Sequence, residues 1–321
     1  MVSEEEAIEV LKNWKIAPVE PLIEIHKGTV FRVRSERGEE LILKNLGDGH
    51  SHERLAFEHE VLSHLSDAGV PVALPLSDLR GRTSVVHRNS LFTLSPCLDT
   101  ANKGREIPRI EMCLNYSRAI AELHLALASL SIDNIAGRTW RNIPVQEVFD
   151  RQLPSLKRLL PKEASADLVE IFKDIEPCMR RSLTDLPEQL IHRDCHPGNV
   201  LTNGREVVGF VDCDHFSIGS PVLDIGYFLI HLIKWNTDDA TRTDEWLNCI
   251  SVFLQGYEEK RHLHEREREA LPYMMVYVLV MFAELFCNAS NRAAAKVELT
   301  ALTYVYSHIE EIRHRAVTSD K

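Results

Sequence analysis

The stretch that most constrains this chain is residues 190–214, LIHRDCHPGNVLTNGREVVGFVDCD, in which three oxygen-bearing side chains flank two short apolar runs. Val200 and Leu201 form one run, Val207, Val208, Phe210 and Val211 the other, and Asn203-Gly204 between them suits the positive φ values of a type I′ turn. The pattern predicts a β-hairpin. Asp194 and Asn199 precede its first strand and Asp212 ends its second, so all three can converge at one end. Pro197-Gly198 breaks the loop between Asp194 and Asn199, which keeps the two off a common helical face but lets the loop curl. Such oxygens suit a hard divalent cation and a hydroxyl nucleophile. Phosphoryl transfer needs both: an Asp accepts the proton of the attacking hydroxyl, and Asn and Asp oxygens ligate magnesium.

The remainder of the chain reads as two regions. Ser3 and Glu6 form a capping-box pattern ahead of an apolar helical stripe from Ala7 to Trp14, which Pro18 and Pro21 should end. Leu22 to Lys44 alternates around Gly28 and Glu36-Arg37-Gly38 as three antiparallel strands, His52 to Leu65 has helical spacing, and Val72 to Leu98 is again strand-like. After Asp99 the character changes. Ile110 to Leu130, Gln146 to Leu160 and Ala164 to Leu183 read as helices, and beyond Asp224 the chain is almost wholly helical. The boundary falls near residues 97–105, giving a β-rich region 1–97 and a helical region 98–321.

Composition narrows the partners. A formal charge of −11 argues against nucleic acid, which needs a basic face, and favours a cationic over an anionic acceptor, although solubility alone also accounts for it. Seven scattered cysteines with no CxxC pair predict neither a disulfide nor a zinc framework, and the acidic start MVSEEEAIEV is unlike a secretion signal, so a cytoplasmic location is expected. The apolar run Tyr273 to Phe286 is shorter than a membrane span and contains Glu284, which reads as a buried core helix.

HRDCHPGN, the hairpin and FVDCD together resemble the signature of the aminoglycoside phosphotransferase and choline kinase-like family, small-molecule kinases with a protein-kinase-like fold. The resemblance implies a two-lobed α+β fold with a β-rich N-terminal lobe and a mainly helical C-terminal lobe. It implies ATP, with GTP not excluded, and magnesium as cofactors, and a small-molecule hydroxyl as acceptor. Asp194 becomes the catalytic base, Asn199 and Asp212 the metal ligands, and His192 and Asp224 structural supports of the loop. Lys44, ending the third strand in LILK, takes the position of the lysine that pairs the nucleotide phosphates, with Glu58 as its carboxylate partner. Glu58 is preferred to Glu60, which lies about 200° further round the helix. Thr93 to Leu98 resembles the hinge that takes adenine on its backbone, with Ser95 and Cys97 as contacts. The phosphate loop IHKGTVFRV has the single Gly28 in place of a G-x-G-x-x-G.

Other readings compete at individual residues. Asp214 is a further metal-shell group, a substrate contact or a solvated turn carboxylate. Glu284, Glu258, Glu259 and the acidic run 265–269 could recognise a cationic acceptor, and Tyr273, Tyr277 and Trp235 could wall it, but solvated faces and core packing are the plain alternatives. His192 and His196 suggest a zinc hydrolase, against which Pro197-Gly198 and the hard oxygen donors speak. Within the kinase reading the acceptor is an aminoglycoside-like antibiotic, an amino alcohol such as homoserine or choline, or a protein Ser/Thr. Outside it stands a catalytically silent nucleotide-binding regulator.

Overall fold

The computed structural model describes residues 2–47, 50–98, 110–140, 142–160, 162–234 and 240–318. One unit consists of Met1–Thr100 and Val208–Asp214, the other of Ala101–Val207 and His215–Lys321.

In the first unit, helix α1 (Glu4–Leu11) begins at Ser3, whose hydroxyl accepts the Glu6 amide. It gives way at Lys12 to a single 3₁₀ turn, well before Pro18, and Lys15 closes it in the left-handed region. Strands β1 (Ile23–His26), β2 (Val30–Arg34), β3 (Glu40–Gly47), β4 (Val85–His87) and β5 (Ser90–Pro96) form one antiparallel sheet in the order β1-β2-β3-β5-β4. Alternation decides its two faces. Phe31, Val33, Leu41, Leu43, Phe92 and Leu94 are buried against Ala7, Val10, Leu11 and Trp14, each side chain contributing about 1.5–3 kcal/mol. The opposite face carries Val30, Lys44 and Thr93 in one row and Ile23, Arg32, Ile42 and Ser95 in the next. Helix α2 (His52–Asp67), capped by Ser51, follows β3 and buries Leu55, Phe57, Glu58, Val61 and Leu65.

The expected division at 97/98 leaves residues 208–214 in the helical region. They pack instead in the first unit, because Val72 bridges Phe210 in parallel and the Phe210 N–H donates to the Pro71 carbonyl at 2.9 Å.

The second unit is mainly helical. Its elements are α3 (Ile110–Ala128), α4 (Ile132–Ile135), α5 (Val145–Glu147), which runs through a π segment into α6 (Leu153–Leu159), and α7 (Lys162–Ser182). Then come β6 (Gln189–Ile191), β7 (Val200–Thr202), the junction strand β8 (Val207–Phe210) and β9 (Ser217–Gly219), antiparallel to β6. Helices α8 (Pro221–Ile233), α9 (Ala240–Glu258), α10 (Glu265–Asn288), α11 (Arg292–Ser307) and α12 (Ile309–Thr318) complete it.

Two expectations are corrected here. Helix α10 is 24 residues long and by length and composition could cross a membrane, longer than the expected run, because its apolar stretch also takes in Ala270, Leu271 and Pro272; it is nonetheless the expected core helix, with 72% of its apolar 18-residue window buried in the protein. Cys113 of α3 and Cys249 of α9 are joined as a disulfide where the two helices pack. They lie 136 residues apart, so no local spacing announces the pair.

Candidate active site

The second unit holds the loop that carries Asp194 and Asn199, and a single buried carboxylate sets its backbone. Asp224, in the first turn of α8 and inaccessible to solvent, accepts the His192 N–H at 2.9 Å, the Arg193 N–H at 2.7 Å and Nε2 of buried His124 at 3.1 Å. Arg193 is held at φ +69°, a conformation that side-chain-bearing residues adopt only when their surroundings impose it. The His192 ring is buried edge-on to Phe216.

That backbone presents Asp194, whose side chain is 28% exposed. Its Oδ2 accepts the Asn199 amide at 2.8 Å, its Oδ1 accepts the Tyr227 hydroxyl at 3.0 Å, and the His196 ring stands 3.9 Å away. The Asn199 amide also donates to the Asp194 carbonyl at 3.0 Å. With its NH₂ so engaged, Asn199 keeps a carbonyl oxygen that accepts no donor among the described residues, which suits a hard cation.

The connection from Thr202 to Val207 differs from the expected two-residue turn. It has four residues, and of Asn203 and Gly204 only Gly204 has positive φ, +86°. Asn203 Oδ1 accepts the amides of Arg205 and Glu206 at 3.0 Å each, and this side-chain turn replaces the type I′ geometry.

In the first unit Lys44 reaches Asp212 Oδ1 at 2.7 Å and Asp214 Oδ2 at 3.5 Å. Burial pulls its pKa down, but Asp212 and then Asp214 outweigh burial and leave it above the ordinary value. Asp212 sits at φ +53° just after β8. Glu58 turns to His50, 3.6 Å away, and the Lys44–Glu58 pair read from sequence is not among the ion pairs of the described residues. Two carboxylates hold the ammonium more strongly than one, and burial raises the pKa of Glu58, with His50 and Lys44 offsetting it only in part. Gly28 makes its turn at φ +66°, its N–H bound to the Glu24 carboxylate. Ser95 pairs with Ile42 in the sheet, and the Cys97 N–H is spent on the Glu40 carbonyl at 2.8 Å, which removes one donor expected for adenine.

The acidic acceptor candidates are largely engaged. Glu258 pairs with Arg268, Glu259 with Arg118, Glu267 with Arg261, and Glu284 with Arg151 and Asn288. Tyr277 lines a cavity of about 910 Å³ in the second unit with Trp140, Asn142, Leu223 and Met274, whereas Trp235 lies outside the described residues. Among the described residues no three His, Cys, Asp or Glu side chains gather as a metal cluster, and His196 Nδ1 accepts the Gly198 N–H at 3.0 Å. Cys213 is buried and its thiol pKa is pushed up by burial, then by Asp212 and Asp214, so it is a filler, not a nucleophile. Sequence reading missed Tyr227. Its signal was its place three residues after Asp224, on one helical face.

Comparison with known proteins places this geometry. The model of the phosphotransferase enzyme family (APH) matches residues 23–270. A homoserine kinase of Neisseria meningitidis is 28% identical over 222 residues, 68% of this chain and 67% of its own length. A homoserine kinase of Methylobacillus flagellatus is 26% identical over 288 residues, 88% of this chain and 83% of its own. Among solved structures, a microcompartment-associated aminopropanol kinase has a TM-score of 0.70 at 16% identity, covering 97% of this chain and 98% of that one. The amicoumacin kinase hAmiN, in complex with AMP-PNP, Ca²⁺ and Ami, has a TM-score of 0.68 at 18% identity, covering 96% and 93%. The structural likeness establishes a protein-kinase-like fold, sheet-rich in its N-terminal part and helical in its C-terminal part.

Proposed function

The chain belongs to the phosphotransferase enzyme family, and on that premise we propose that it moves the γ-phosphoryl group of ATP, with magnesium, to an alcohol on a small molecule. The observation that carries the reading is the Asp194 carboxylate, partly open to solvent and fixed by Asn199 and Tyr227 at the head of the loop. In the proposed reaction the acceptor O–H gives its proton to Asp194, its oxygen bonds to the γ-phosphorus, and the bond from that phosphorus to the β–γ bridging oxygen breaks, releasing ADP. Lys44 anchors the α- and β-phosphates. Asp212 and Asn199 are the proposed magnesium ligands, the one an anionic oxygen and the other the unengaged amide carbonyl, and the ion when bound neutralises charge on the phosphates.

The acceptor we propose is an amino alcohol of the homoserine type. The relatives carrying that name support this choice, and Glu258, Glu259 and Glu284, the glutamates singled out as contacts for a cationic acceptor, are each paired with an arginine. A cytoplasmic site of action accords with dependence on ATP. The test is a phosphate-transfer screen from MgATP across L-homoserine, choline, 1-amino-2-propanol, aminoglycosides, a macrolide and a generic protein. Turnover on an amino alcohol is the expected result, and transfer to protein or antibiotic alone sinks the acceptor class. Asp194→Ala should keep nucleotide binding and lose turnover by about 10²–10⁴-fold; near-normal turnover removes Asp194 as base.

A further inference from the structure

We infer that Tyr227 is the positioning residue of the catalytic base: its hydroxyl pins one oxygen of Asp194 while Asn199 pins the other, fixing the carboxylate plane for the incoming acceptor hydroxyl. The inference rests on the reading of Asp194 as base.

Three observations carry it. The contact is direct, 3.0 Å from Tyr227 Oη to Asp194 Oδ1, and it joins helix α8 to the catalytic loop across 33 residues of chain. The tyrosine cannot swing away. It is 5% exposed, its ring lies parallel to Phe282 of α10 at 5.2 Å and 8°, and it stands edge-on to His231 at 4.3 Å and to His196 at 5.9 Å. The helix that carries it also carries Asp224, which ties the backbone of His192 and Arg193, so α8 fixes the loop at its main chain and again at its reactive side chain.

A carboxylate held at only one oxygen rotates about its Cβ–Cγ bond. Held at both, it keeps its remaining lone pairs in one plane, and a base needs that alignment because misplacement by about 1 Å costs about 10²-fold in rate. Burial, then the charge of Asp194, raises the pKa of Tyr227 far above neutrality, so the hydroxyl remains a donor throughout the working range. The other titratable groups around the pair are Arg193, Cys195 and His196 on the loop, His231 in the last turn of α8 and Lys234 just after it, Tyr277 on α10 and Glu298 on α11. Burial, then Lys234 and His196, holds His231 well below its ordinary pKa, so it adds no charge beside the pair at neutral pH.

The test is Tyr227→Phe, which keeps the ring stack and removes only the hydroxyl. Transfer from MgATP is followed to the acceptor found in the screen, and to water where the acceptor is omitted. kcat should fall by about 10–100-fold with KM for ATP unchanged. In an Asp194→Asn background the same change should cost nothing further, since Tyr227 acts only through Asp194. Wild-type kcat in Tyr227→Phe overturns the inference, as does an equal loss in both backgrounds. Normal turnover in Asp194→Ala removes the base itself and this inference with it, whereas an inactive Asp194→Ala beside a normal Tyr227→Phe removes the inference alone.

Discussion

Lys44 sits between two carboxylates, so in the proposed reaction its charge has two uses: to hold Asp212 and Asp214 in place and to meet nucleotide phosphates. Lys44→Met should therefore weaken ATP binding by about tenfold or more, measured by calorimetry, with the fold intact by circular dichroism. A different residue governs acid stability in the same unit. His59, half-buried with Nδ1 at 2.7 Å from the Thr83 hydroxyl, has its pKa lowered by burial to about 4. The unfolded chain then binds more protons than the folded one between about pH 4 and 6.5, so the contribution is complete above about 6.5 and is lost as pH falls toward 4. Urea midpoints measured across that window should decline for the wild type and flatten for His59→Gln. Residues of this kind divide sharply in legibility. Asp194, Asn199 and Asp212 stood out because the loop motif brackets them, but Tyr227 did not, since a buried tyrosine in an apolar helix looks like core until its hydroxyl is placed against Asp194.

Elements were legible where burial alternates cleanly. The β2 pattern Phe31 and Val33 inward, Arg32 and Arg34 outward, is written in the sequence, whereas the Thr202–Val207 turn was misjudged because the Asn203 side chain replaces the turn that its dipeptide favours. Packing between helices was not legible at all. Gly256 of α9 abuts α3 so closely that an added Cβ would collide with the Ser117 hydroxyl and lie 3.2 Å from the Leu114 carbonyl. Alanine is the better helix former by about 1 kcal/mol, but overpacking against a fixed backbone costs about 1–3 kcal/mol, so the clash wins. Gly256→Ala should lower the thermal midpoint by about 2–4 °C, read by calorimetry; a rise would show that α3 yields freely.

For the whole molecule, the proposed chemistry ties stability to ligand. Saturating MgATP, at about 100 times its Kd, should stabilise the folded protein by about 2.7 kcal/mol, seen as a higher melting temperature, and EDTA should remove both that shift attributable to the metal complex and all phosphate transfer, with magnesium restoring them. The sequence announced a β-rich and a helical part because strand-period and helix-period patterns switch near residue 100. It could not announce that residues 208–214 return to the first part, since that depends on the meeting of Phe210 with Pro71 and Val72, contacts about 140 residues apart. Neither unit is therefore written in one uninterrupted stretch of gene. A single crossover near residue 100 would deliver Lys44 without Asp212 and Asp214, the two partners that hold it here, so an exchange that keeps this ion-paired group intact must carry two segments together.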